Sequence, residues 1–515
     1  MAKNFYAPIA AASENFSADG VTAETLRQKN HSEEKIEVAK NFYAPIAAAM
    51  KKYSADGAIP FHTPGHKQGR GAHKLLRELL TAEGLRQEVS LMEELDDLHA
   101  PHTCIREAQE LAAKLWHADE TIFFVNGTTA AVQAMMLGTL KSGDLIFIPR
   151  NAHRSVIAGL ILSGAVPIFL PVEFDSEFNL PLNVSVETIA CAIKKFPQAR
   201  AVLLVSPNYY GVAADVKKIS RLVHATGMIL LVDEAHGAHL TFCDELPSSA
   251  MEAGADLAAQ STHKILGSLT QTSMLMLRKN FSESVRRAAS LLQTTSPNQL
   301  LLASLDIARL QMAESGREKI SAAVALAKNL RGEIKKIHGL KTFDAVKNFS
   351  LDATKVTVNV QGLGLTGQEA EEILRRDLKI QCELSDAANI LFLITFADDA
   401  QTVSKLIEAL KLLPRRPPKK IYSTPPPKNF SVAELSPRET FYSPVEVVAL
   451  KKSVGRISAE EVTFYPPGIP LLMPGEKISA EVVELLAREK FSRVVGAADE
   501  TLSTIKVVQS AATNG

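Results

Sequence analysis

The sequence lacks several features that would place it in a special class of proteins. It contains only four cysteines, and Cys104, Cys191, Cys243 and Cys382 form no C-x-x-C pair. Such scattered cysteines are atypical of disulfide scaffolds and zinc modules, so we expect reduced thiols and no metal site. No apolar run approaches the roughly 18 residues of a membrane-spanning helix. The N-terminus also lacks the charged-then-apolar order of a secretion signal. These absences predict a cytoplasmic protein with no membrane partner.

An excess of charge of one sign is also absent. The 57 Lys and Arg residues balance 57 Asp and Glu residues, so the formal net charge is zero. Without excess positive charge to hold phosphate backbones, we expect no nucleic-acid partner. Hydrophobic residues make up 46% and charged residues 22% of the chain, which excludes wholesale disorder. The length of 515 residues corresponds to about three domains.

One segment near the N-terminus is duplicated. Residues 2–20 recur as residues 39–57, with 15 of 19 positions identical. Two copies are too few for a solenoid, which needs about three repeats. We therefore predict an N-terminal arm over residues 1–57, in which the second copy is structured and the first is an extension.

Short apolar runs alternate with helical stretches in the next part of the chain. The runs occupy residues 121–126, 145–150, 166–172, 201–206 and 228–233. Runs without a polar face are typical of strands that helices cover on both sides. The pattern therefore predicts an α/β domain around a mostly parallel sheet, which we assign to residues 58–335.

Two smaller parts are predicted after a long helical pattern at 302–337. Residues 336–413 are predicted to form a small α+β domain, with strands at 355–360, 379–384 and 390–396 and a helix near 367–377. Residues 414–427 contain six prolines in 14 positions, which indicates a stiff linker. A C-terminal domain is assigned to residues 428–515.

A small, hydroxyl-rich turn follows the first apolar run. Gly127, Thr128 and Thr129 open a predicted helix. The free N–H groups at a helix N-terminus suit a bound phosphate. An ordinary threonine cap would give the same pattern. The turn is therefore a candidate phosphate site.

Two later strand ends carry polar side chains. His153 follows the run at 145–150 and suits either a catalytic role or an ordinary surface loop. Asp233 ends the run at 228–233, and His236 follows it. A carboxylate at the end of a buried strand is costly without a cationic partner. Asp233 is therefore either a ligand-binding acid or part of a structural ion pair or helix cap.

A lysine lies in a weakly charged, hydroxyl-rich segment further along. Lys264 closes the sequence STHK, which begins at Ser261. A partly desolvated lysine has a lowered pKa and can form a Schiff base. A phosphate turn, a buried acid, a histidine and such a lysine are together the set that pyridoxal 5′-phosphate (PLP) requires. We therefore predict PLP as the cofactor.

The motifs between residues 58 and 505 resemble the bacterial Orn/Lys/Arg decarboxylase family, which consists of PLP enzymes of the aspartate-aminotransferase fold (fold type I). The motifs are FHTPGHK (61–67), LDDLHAP (95–101), NAHRS (151–155), DEAHGAH (233–239), STHK (261–264) and YPPGIP (465–470). The chain is most similar to the shorter branch, which lacks an N-terminal wing domain. The resemblance implies a seven-stranded large-domain sheet, a small α+β domain and a C-terminal α+β domain.

The resemblance also implies roles for individual residues. Lys264 would be the Schiff-base lysine, Asp233 would pair with the pyridinium nitrogen, and His153 would stack on the ring. The phosphate would be bound by Thr128, Thr129, Ser261 and His263, next to Gly127, and His236 would contact the ring edge. Thr295 and Ser296 resemble the segment that a neighbouring subunit offers to the phosphate. The resemblance therefore implies a homodimer or higher homo-oligomer with shared active sites.

The family implies a basic amino acid as the substrate. Its cationic side chain needs carboxylates at the far end of the pocket, and Glu461, Asp96 and Asp97 are the candidates. Each is otherwise a solvated surface acid. The shorter branch favours arginine, giving agmatine for polyamine synthesis, while lysine and ornithine stay open.

Other functions remain as alternatives. An aminotransferase or lyase would use the same cofactor, and Arg375 and Arg376 would be candidates to bind a substrate carboxylate. A catalytically inactive binding protein is a third possibility, although the Lys264–Asp233 pair argues against it. The G-x-G-x-x-G pattern at 362–367 suggests NAD binding by itself. Glu383, 21 residues after Gly362, is near the spacing of a ribose-binding acid. However, the helix that follows the pattern is short, and the proline-rich linker comes before a second nucleotide-binding half could form, which argues against a dinucleotide-binding domain.

Overall fold

The central sheet is built from the apolar runs of the sequence. This computed structural model describes residues 43–417, 427–465, 469–488 and 493–509. The main strands of the central sheet are β1 (Glu120–Phe124), β2 (Leu145–Pro149), β3 (Val166–Leu170), β4 (Ala201–Val205), β5 (Ile229–Asp233), β6 (Leu257–Gln260) and β7 (Ser273–Leu277). They pair in the order β1-β7-β6-β5-β4-β2-β3. The short strand Ser431–Val432 adds an eighth member, antiparallel to β3.

Six of the seven main strands run in the same direction. β7 is antiparallel to both of its neighbours, β1 and β6, whereas the pairs from β6 through to β3 are parallel. The carboxyl ends of the six parallel strands therefore meet at one edge of the sheet. The predicted mostly parallel α/β sheet is confirmed, and each of the five apolar runs contains one of its strands.

Helices cover both faces of this sheet. They are α1 (Pro45–Ala55), α2 (Lys74–Gln87), α3 (Cys104–Leu115), α4 (Gly127–Thr139), α5 (Arg154–Ser163), α6 (Val186–Lys195), α7 (Val216–Ala225), α8 (Thr262–Ile265), α9 (Ser282–Leu292) and α10 (Gln299–Ile334). Alternate strand residues enter two separate cores: Phe147 packs on one face, and its neighbours Ile146 and Ile148 pack on the other. Burial on both faces explains why the strands are apolar throughout.

A smaller antiparallel sheet follows α10. It contains β8 (Lys355–Asn359), β9 (Asn389–Leu393) and the short strand Leu384–Ser385, and α11 (Gly367–Arg376) and α12 (Ala400–Lys411) accompany it. These elements share a hydrophobic core with the second half of α10. We call residues 336–413 the small lobe.

The predicted strand at 379–384 is wrong over most of its length. Lys379 has a positive φ of 58°, and the Ile380 N–H donates to the Leu374 carbonyl at 2.8 Å. These residues therefore turn back on the end of α11. Only Leu384 of the predicted run pairs with β9.

The C-terminal part has its own small core. Its elements are α13 (Pro437–Tyr442), β10 (Val445–Ala449), β11 (Val462–Tyr465), β12 (Ile469–Leu472), α14 (Ala480–Arg488), β13 (Arg493–Val495) and β14 (Thr504–Val508). A buried ion pair ties it to the large sheet, because Arg150, just after β2, donates to Glu476 at 2.8 Å. The centre of the YPPGIP motif lies outside the described residues.

The two copies of the duplicated segment differ in what can be described. The second copy forms α1, and its Ile46, Met50 and Tyr53 side chains are buried. Residues 2–20 and most of the proline-rich linker lie outside the described residues, and the domain boundaries stay a prediction. All four cysteines are free thiols, as expected, but Cys191 is exposed. Within the described ranges, no helix combines the length and apolar character needed to cross a bilayer.

Candidate active site

The predicted catalytic side chains converge at the carboxyl edge of the parallel strands. Asp233 is the last residue of β5, and Lys264 lies on the one-turn helix α8, directly after β6. His153 caps the N-terminus of α5, which follows β2. Ligands of open parallel sheets bind beyond this edge. The charges of Asp233 and Lys264 both act on His153, so the three groups share one electrostatic environment.

The Lys264 amine lies against His236. Lys264 Nζ is 3.0 Å from His236 Nε2, and it lies over the Tyr209 ring, 5.7 Å from the centroid. Burial lowers the pKa of Lys264, and Lys355 lowers it further, whereas Asp233 and Glu383 oppose the shift. Burial and the two lysine charges hold the pKa of His236 well below its ordinary value. A neutral His236 therefore faces an amine that loses its proton easily.

His153 is held in one orientation by its own helix. Its Nδ1 accepts a hydrogen bond from the Ser155 backbone N–H at 3.2 Å, which places the proton of the neutral ring on Nε2. His153 is exposed, but the protein around its ring still lowers its pKa through burial. The Lys264 charge lowers the pKa as well, whereas Asp233 and Glu461 raise it. An oriented neutral imidazole therefore stands at the mouth of the site.

A hydroxyl cluster lies at the start of α4. Thr128 Oγ1 is 2.5 Å from Ser261 Oγ and donates to Ser273 Oγ at 2.8 Å. Gly127 begins α4 with a positive φ of 82°, and a Cβ placed on it would have no atom within 4 Å. Among the described residues, the space next to these hydroxyls and helical N–H groups is thus open. Such a cradle suits a phosphate.

The other predicted phosphate ligands occupy different positions. His263 is half-buried, and its Nδ1 lies 2.7 Å from the Thr272 carbonyl. Thr129 is exposed in the first turn of α4. Thr295 and Ser296 are exposed in the loop between α9 and α10. The structure therefore brings Thr128 and Ser261 together, while the roles of the other four residues stay a prediction.

Of the predicted substrate carboxylates, Glu461 is the one whose charge acts on a catalytic residue. It raises the pKa of His153 and accepts a hydrogen bond from Thr463 Oγ1 at 2.7 Å. Asp97 is half-buried, and its Oδ1 accepts from the His99 N–H at 2.8 Å. The structure does not show Asp97 acting on the lysine.

Asp96 is engaged elsewhere. Its side chain is fully buried, and it accepts hydrogen bonds from the backbone N–H groups of Thr103 at 2.8 Å and Ile105 at 3.0 Å. Burial raises its pKa, but these and other N–H donors bring the pKa below its ordinary value. Asp96 therefore stabilises the start of α3, which explains its presence without a substrate.

Sequence reasoning missed two charged residues near Lys264. Glu383 interacts with Lys264 and Lys355, and burial raises its pKa while both lysines lower it. Lys355 is fully buried at the start of β8. Its position in the apolar run KVTVNV was a signal, because a charged residue inside a buried strand requires a partner. Glu383 was noted only for its spacing from the glycine pattern, which does not link it to Lys264.

The glycine pattern at 362–367 has a packing role. A Cβ at Gly362 would lie 2.6 Å from the Gly339 carbonyl oxygen, and one at Gly367 would lie 2.1 Å from that of Asn389. The strand before the pattern, β8, belongs to an antiparallel sheet. These glycines allow the protein's own backbone to pack closely, so they leave no room for a dinucleotide phosphate.

The arginines that would support an aminotransferase are paired on their own helix. Arg375 binds Glu371 at 2.7 Å and Arg376 binds Glu372 at 3.0 Å, in both cases with partly exposed side chains. These i,i+4 pairs are ordinary surface ion pairs of a helix. In the described part of the chain, no group of three His, Cys, Asp or Glu side chains is arranged to hold a metal ion.

The site fits PLP in four respects. The cradle at Gly127 and Thr128 is open toward a phosphate, and Lys264 offers an amine whose pKa is lowered. Asp233 is buried at the adjacent strand end. His236 Nδ1 is buried and has no hydrogen-bond partner among the described residues, which leaves it available to a bound group.

An α/β sheet with a reactive lysine, a buried acid and two histidines at its strand ends is the site of an enzyme acting on an amine or carbonyl substrate. Comparison with known proteins identifies that enzyme class further. The model of the Orn/Lys/Arg decarboxylase major domain matches residues 44–361, and the model of the C-terminal domain matches residues 418–494. The chain belongs to the Orn/Lys/Arg decarboxylase family, as the motifs predicted, and is an amino-acid decarboxylase.

Individual relatives agree with this assignment. The chain is 39% identical over 464 residues to an arginine decarboxylase of Bacillus subtilis, covering 88% of this chain and 95% of the relative. It is 41% identical over 428 residues to an arginine decarboxylase of Bacillus cereus, covering 81% and 93%. Among solved structures, a lysine decarboxylase of Francisella novicida has a TM-score of 0.78 at 20% identity, covering 95% of this chain and 84% of that one. The last similarity shows the shared fold.

Proposed function

We propose that this protein decarboxylates L-arginine to agmatine and CO₂, with PLP as its cofactor, in the cytoplasm. The observation that carries the proposal is the Lys264 amine, which has a lowered pKa and lies 3.0 Å from a neutral His236 at the strand ends. The identity of 39–41% to two bacterial arginine decarboxylases over most of the chain supports arginine as the substrate.

PLP, when bound, would join Lys264 as a Schiff base and accept the electron pair that remains when the carboxylate leaves. Thr128, Ser261 and the N–H groups of the first turn of α4 after Gly127, whose own N–H donates to the Gln271 carbonyl, would bind its phosphate. Asp233 would hold a proton on the pyridine nitrogen, because a buried carboxylate is stable only beside a positive charge. His153, fixed by Ser155, would cover the ring.

Proton transfer is the task of Lys264 and its neighbours. Breaking the bond from Cα to the carboxylate releases CO₂ and leaves an electron pair at Cα, which must then take up a proton. The Lys264 amine, once free of the cofactor, would carry that proton. His236 is neutral and in contact with Lys264 Nζ, so it can accept a hydrogen bond from the lysine and orient it.

Binding of a cationic side chain requires negative charge at the far end of the pocket. Besides Asp233, Glu461 acts through its charge on His153 and Glu383 acts on Lys264, and Asp97 stays a further candidate. Burial raises the pKa of Glu383, so a bound guanidinium would favour its ionised form. Thr295 and Ser296, exposed between α9 and α10, would complete the phosphate site of a second subunit in a homodimer or larger homo-oligomer.

The direct test is release of CO₂ from labelled arginine, lysine and ornithine, with and without added PLP. We expect PLP-dependent release, fastest with arginine. The variant Lys264→Ala should lose release and the visible absorbance of the lysine–PLP Schiff base. The variant Lys279→Ala, at an exposed lysine, is the matched control and should retain both. Faster release from lysine or ornithine would replace arginine as the substrate, and no release from any of the three would refute the decarboxylase.

The shared-site prediction has a separate test. Mixing a Lys264→Ala subunit with a subunit that carries Thr295→Ala and Ser296→Ala should restore part of the activity, because one of the two sites in a mixed dimer then has all its residues. Inactive single variants whose mixture stays inactive would contradict a site completed by the neighbouring subunit.

A further inference from the structure

A charged cluster lies behind Lys264, in the part of the small lobe that meets the large sheet. Lys355, at the start of β8, is fully buried. Its Nζ donates to the main-chain carbonyl of His236 at 2.9 Å and to Asp352 Oδ2 at 2.5 Å. A residue of the small lobe therefore holds the main chain of His236, and the ring of His236 contacts Lys264.

The same cluster holds the loop at a second point. Asp352 lies 3.2 Å from His239 Nε2, and it accepts a hydrogen bond from Thr354 Oγ1 at 2.6 Å. His239 and Asp352 are both fully buried. The segment from His236 to His239 is thus fixed at its main chain by Lys355 and at a side chain by Asp352.

A buried ion pair is an expensive way to fill a core. An apolar pair of similar volume is often as stable or more stable, because it avoids the cost of desolvating two charges. Stability alone therefore does not explain Lys355. Its contacts offer another explanation, since they place both a hydrogen bond and a positive charge close to the catalytic lysine.

We propose that Lys355 is a positioning residue for Lys264: it fixes the main chain of His236, which keeps the His236 ring against the amine, and its charge acts on Lys264. Asp352 keeps Lys355 in place. Lys355 itself does not touch the reacting atoms, because its amine is occupied by the two oxygens.

The charges around Lys264 support this role. Asp233 and Glu383 favour its protonated form, whereas burial and Lys355 favour the neutral amine. The neighbouring rings of His236 and His153 are neutral groups with lowered pKa values. Within this set, Lys355 opposes the two acids, and its removal shifts the balance toward protonated Lys264.

The test uses a pair of substitutions that removes both charges together. The variant Asp352→Asn/Lys355→Met avoids an unpaired buried carboxylate, and Asp344→Asn/Lys335→Met is its control at an exposed ion pair. In the protein without PLP, the pH dependence of Lys264 labelling by an amine-directed reagent is measured by peptide mass spectrometry. This experiment rests on the proposed role of Lys264, but the labelling measurement does not require decarboxylation.

We expect the labelling midpoint of Lys264 to move to higher pH in the double variant, with labelling at pH 8 slowed by about threefold or more, since one pKa unit corresponds to about tenfold. The control should keep the wild-type midpoint. A folded double variant with an unchanged midpoint would overturn the proposal and leave a purely structural ion pair.

A second variant separates the hydrogen bond from the charge. Asp352→Asn/Lys355→Gln lacks the charge but keeps an N–H donor for the His236 carbonyl, and it also replaces the first variant if that one does not fold. We expect its midpoint to rise as well, while kcat of the PLP-loaded enzyme falls less than with Met. Equal loss of kcat in both folded variants would contradict the positioning of His236. Failure of the proposed function would instead appear as no CO₂ release from the wild-type protein.

Discussion

Two buried carboxylates near the His236 loop, Asp352 and Glu234, have pKa values that are shifted in opposite directions. Burial raises the pKa of both Asp352 and Glu234, but His239 and Lys355 bring the pKa of Asp352 well below its ordinary value. Glu234 has only amide donors, the Ala250 N–H and the Gln260 side chain, both at 2.7 Å. Its pKa is raised to about 8. The comparison shows that a nearby cation, rather than depth in the core, decides whether a buried acid is charged.

The largest effect should follow from removing the cation of Asp352. The variant Lys355→Met removes the lysine partner of an ionised carboxylate in the core, although His239 and Thr354 still contact Asp352, and it costs about 3–5 kcal/mol of unfolding free energy. Urea unfolding at pH 7 measures the loss. The control Lys335→Met breaks an exposed pair with Asp344 and should cost less than about 1 kcal/mol. Equal losses of unfolding free energy in the two variants would show that Asp352 does not depend on the Lys355 charge, and would make it like Glu234.

The next effect concerns Glu234 and depends on pH. Its folded pKa of about 8 lies above the ordinary value of 4.5, so its contribution to stability is full below pH 4.5 and is lost as the pH rises toward 8. Glu234→Gln imitates the protonated acid and should remove this decline. We expect the variant to gain about 2–4 kcal/mol over the wild type between pH 5 and pH 8.

Unfolding curves at a series of pH values measure this gain. Glu245→Gln, at an exposed acid paired with Lys328, is the control and should follow the wild-type pH profile. A Glu234→Gln profile parallel to that of the wild type would show that Glu234 is already ionised, and would make the two buried acids alike.

A smaller effect should come from the hydroxyl that supports Asp352. Thr354 is buried and donates to Asp352 Oδ1 at 2.6 Å, so Thr354→Val should cost about 2 kcal/mol. Thr357, within β8 and equally buried, has a hydroxyl without a partner among the described residues. Thr357→Val should therefore be nearly neutral. Thermal unfolding of both variants gives the comparison, and a loss at Thr357 as large as at Thr354 would contradict it.

The smallest effect is expected from the neighbour of Glu234. Glu252 raises the pKa of Glu234 through its negative charge. Glu252→Gln should therefore lower the pH at which the decline in stability ends by about a few tenths of a unit, and high salt should reduce the difference. The same pH series of unfolding curves measures it. A shift in the opposite direction would show that another group sets the Glu234 pKa.

The large sheet was predictable because burial on both faces leaves a plain signal. Residues 201–205 and 229–232 contain no polar side chain, and both stretches lie in strands of the sheet. The strand at 379–384 failed because its apolar alternation reflects the turn after α11 and not sheet pairing. Local periodicity does not distinguish these two causes over six residues.

The candidate site was predictable where a residue stands at a strand end. Lys264, Asp233 and His153 follow that rule, and the structure brings them together. Lys355 and Glu383 reach the site from the small lobe, across long distances in the chain, so no local pattern links them to Lys264. Asp96 was selected for its charge alone, although its carboxylate is used by the backbone of α3.

The ion pair between Arg150 and Glu476 also bears on how the protein is made. The two residues are 326 positions apart, and Arg150 directly precedes the loop that carries His153. During synthesis on the ribosome, Arg150 is without its counter-ion until the C-terminal part has emerged. The last strand of the large sheet, Ser431–Val432, is missing for most of the same period. The loop that carries His153 therefore gains this anchor only after the chain has been synthesised as far as Glu476.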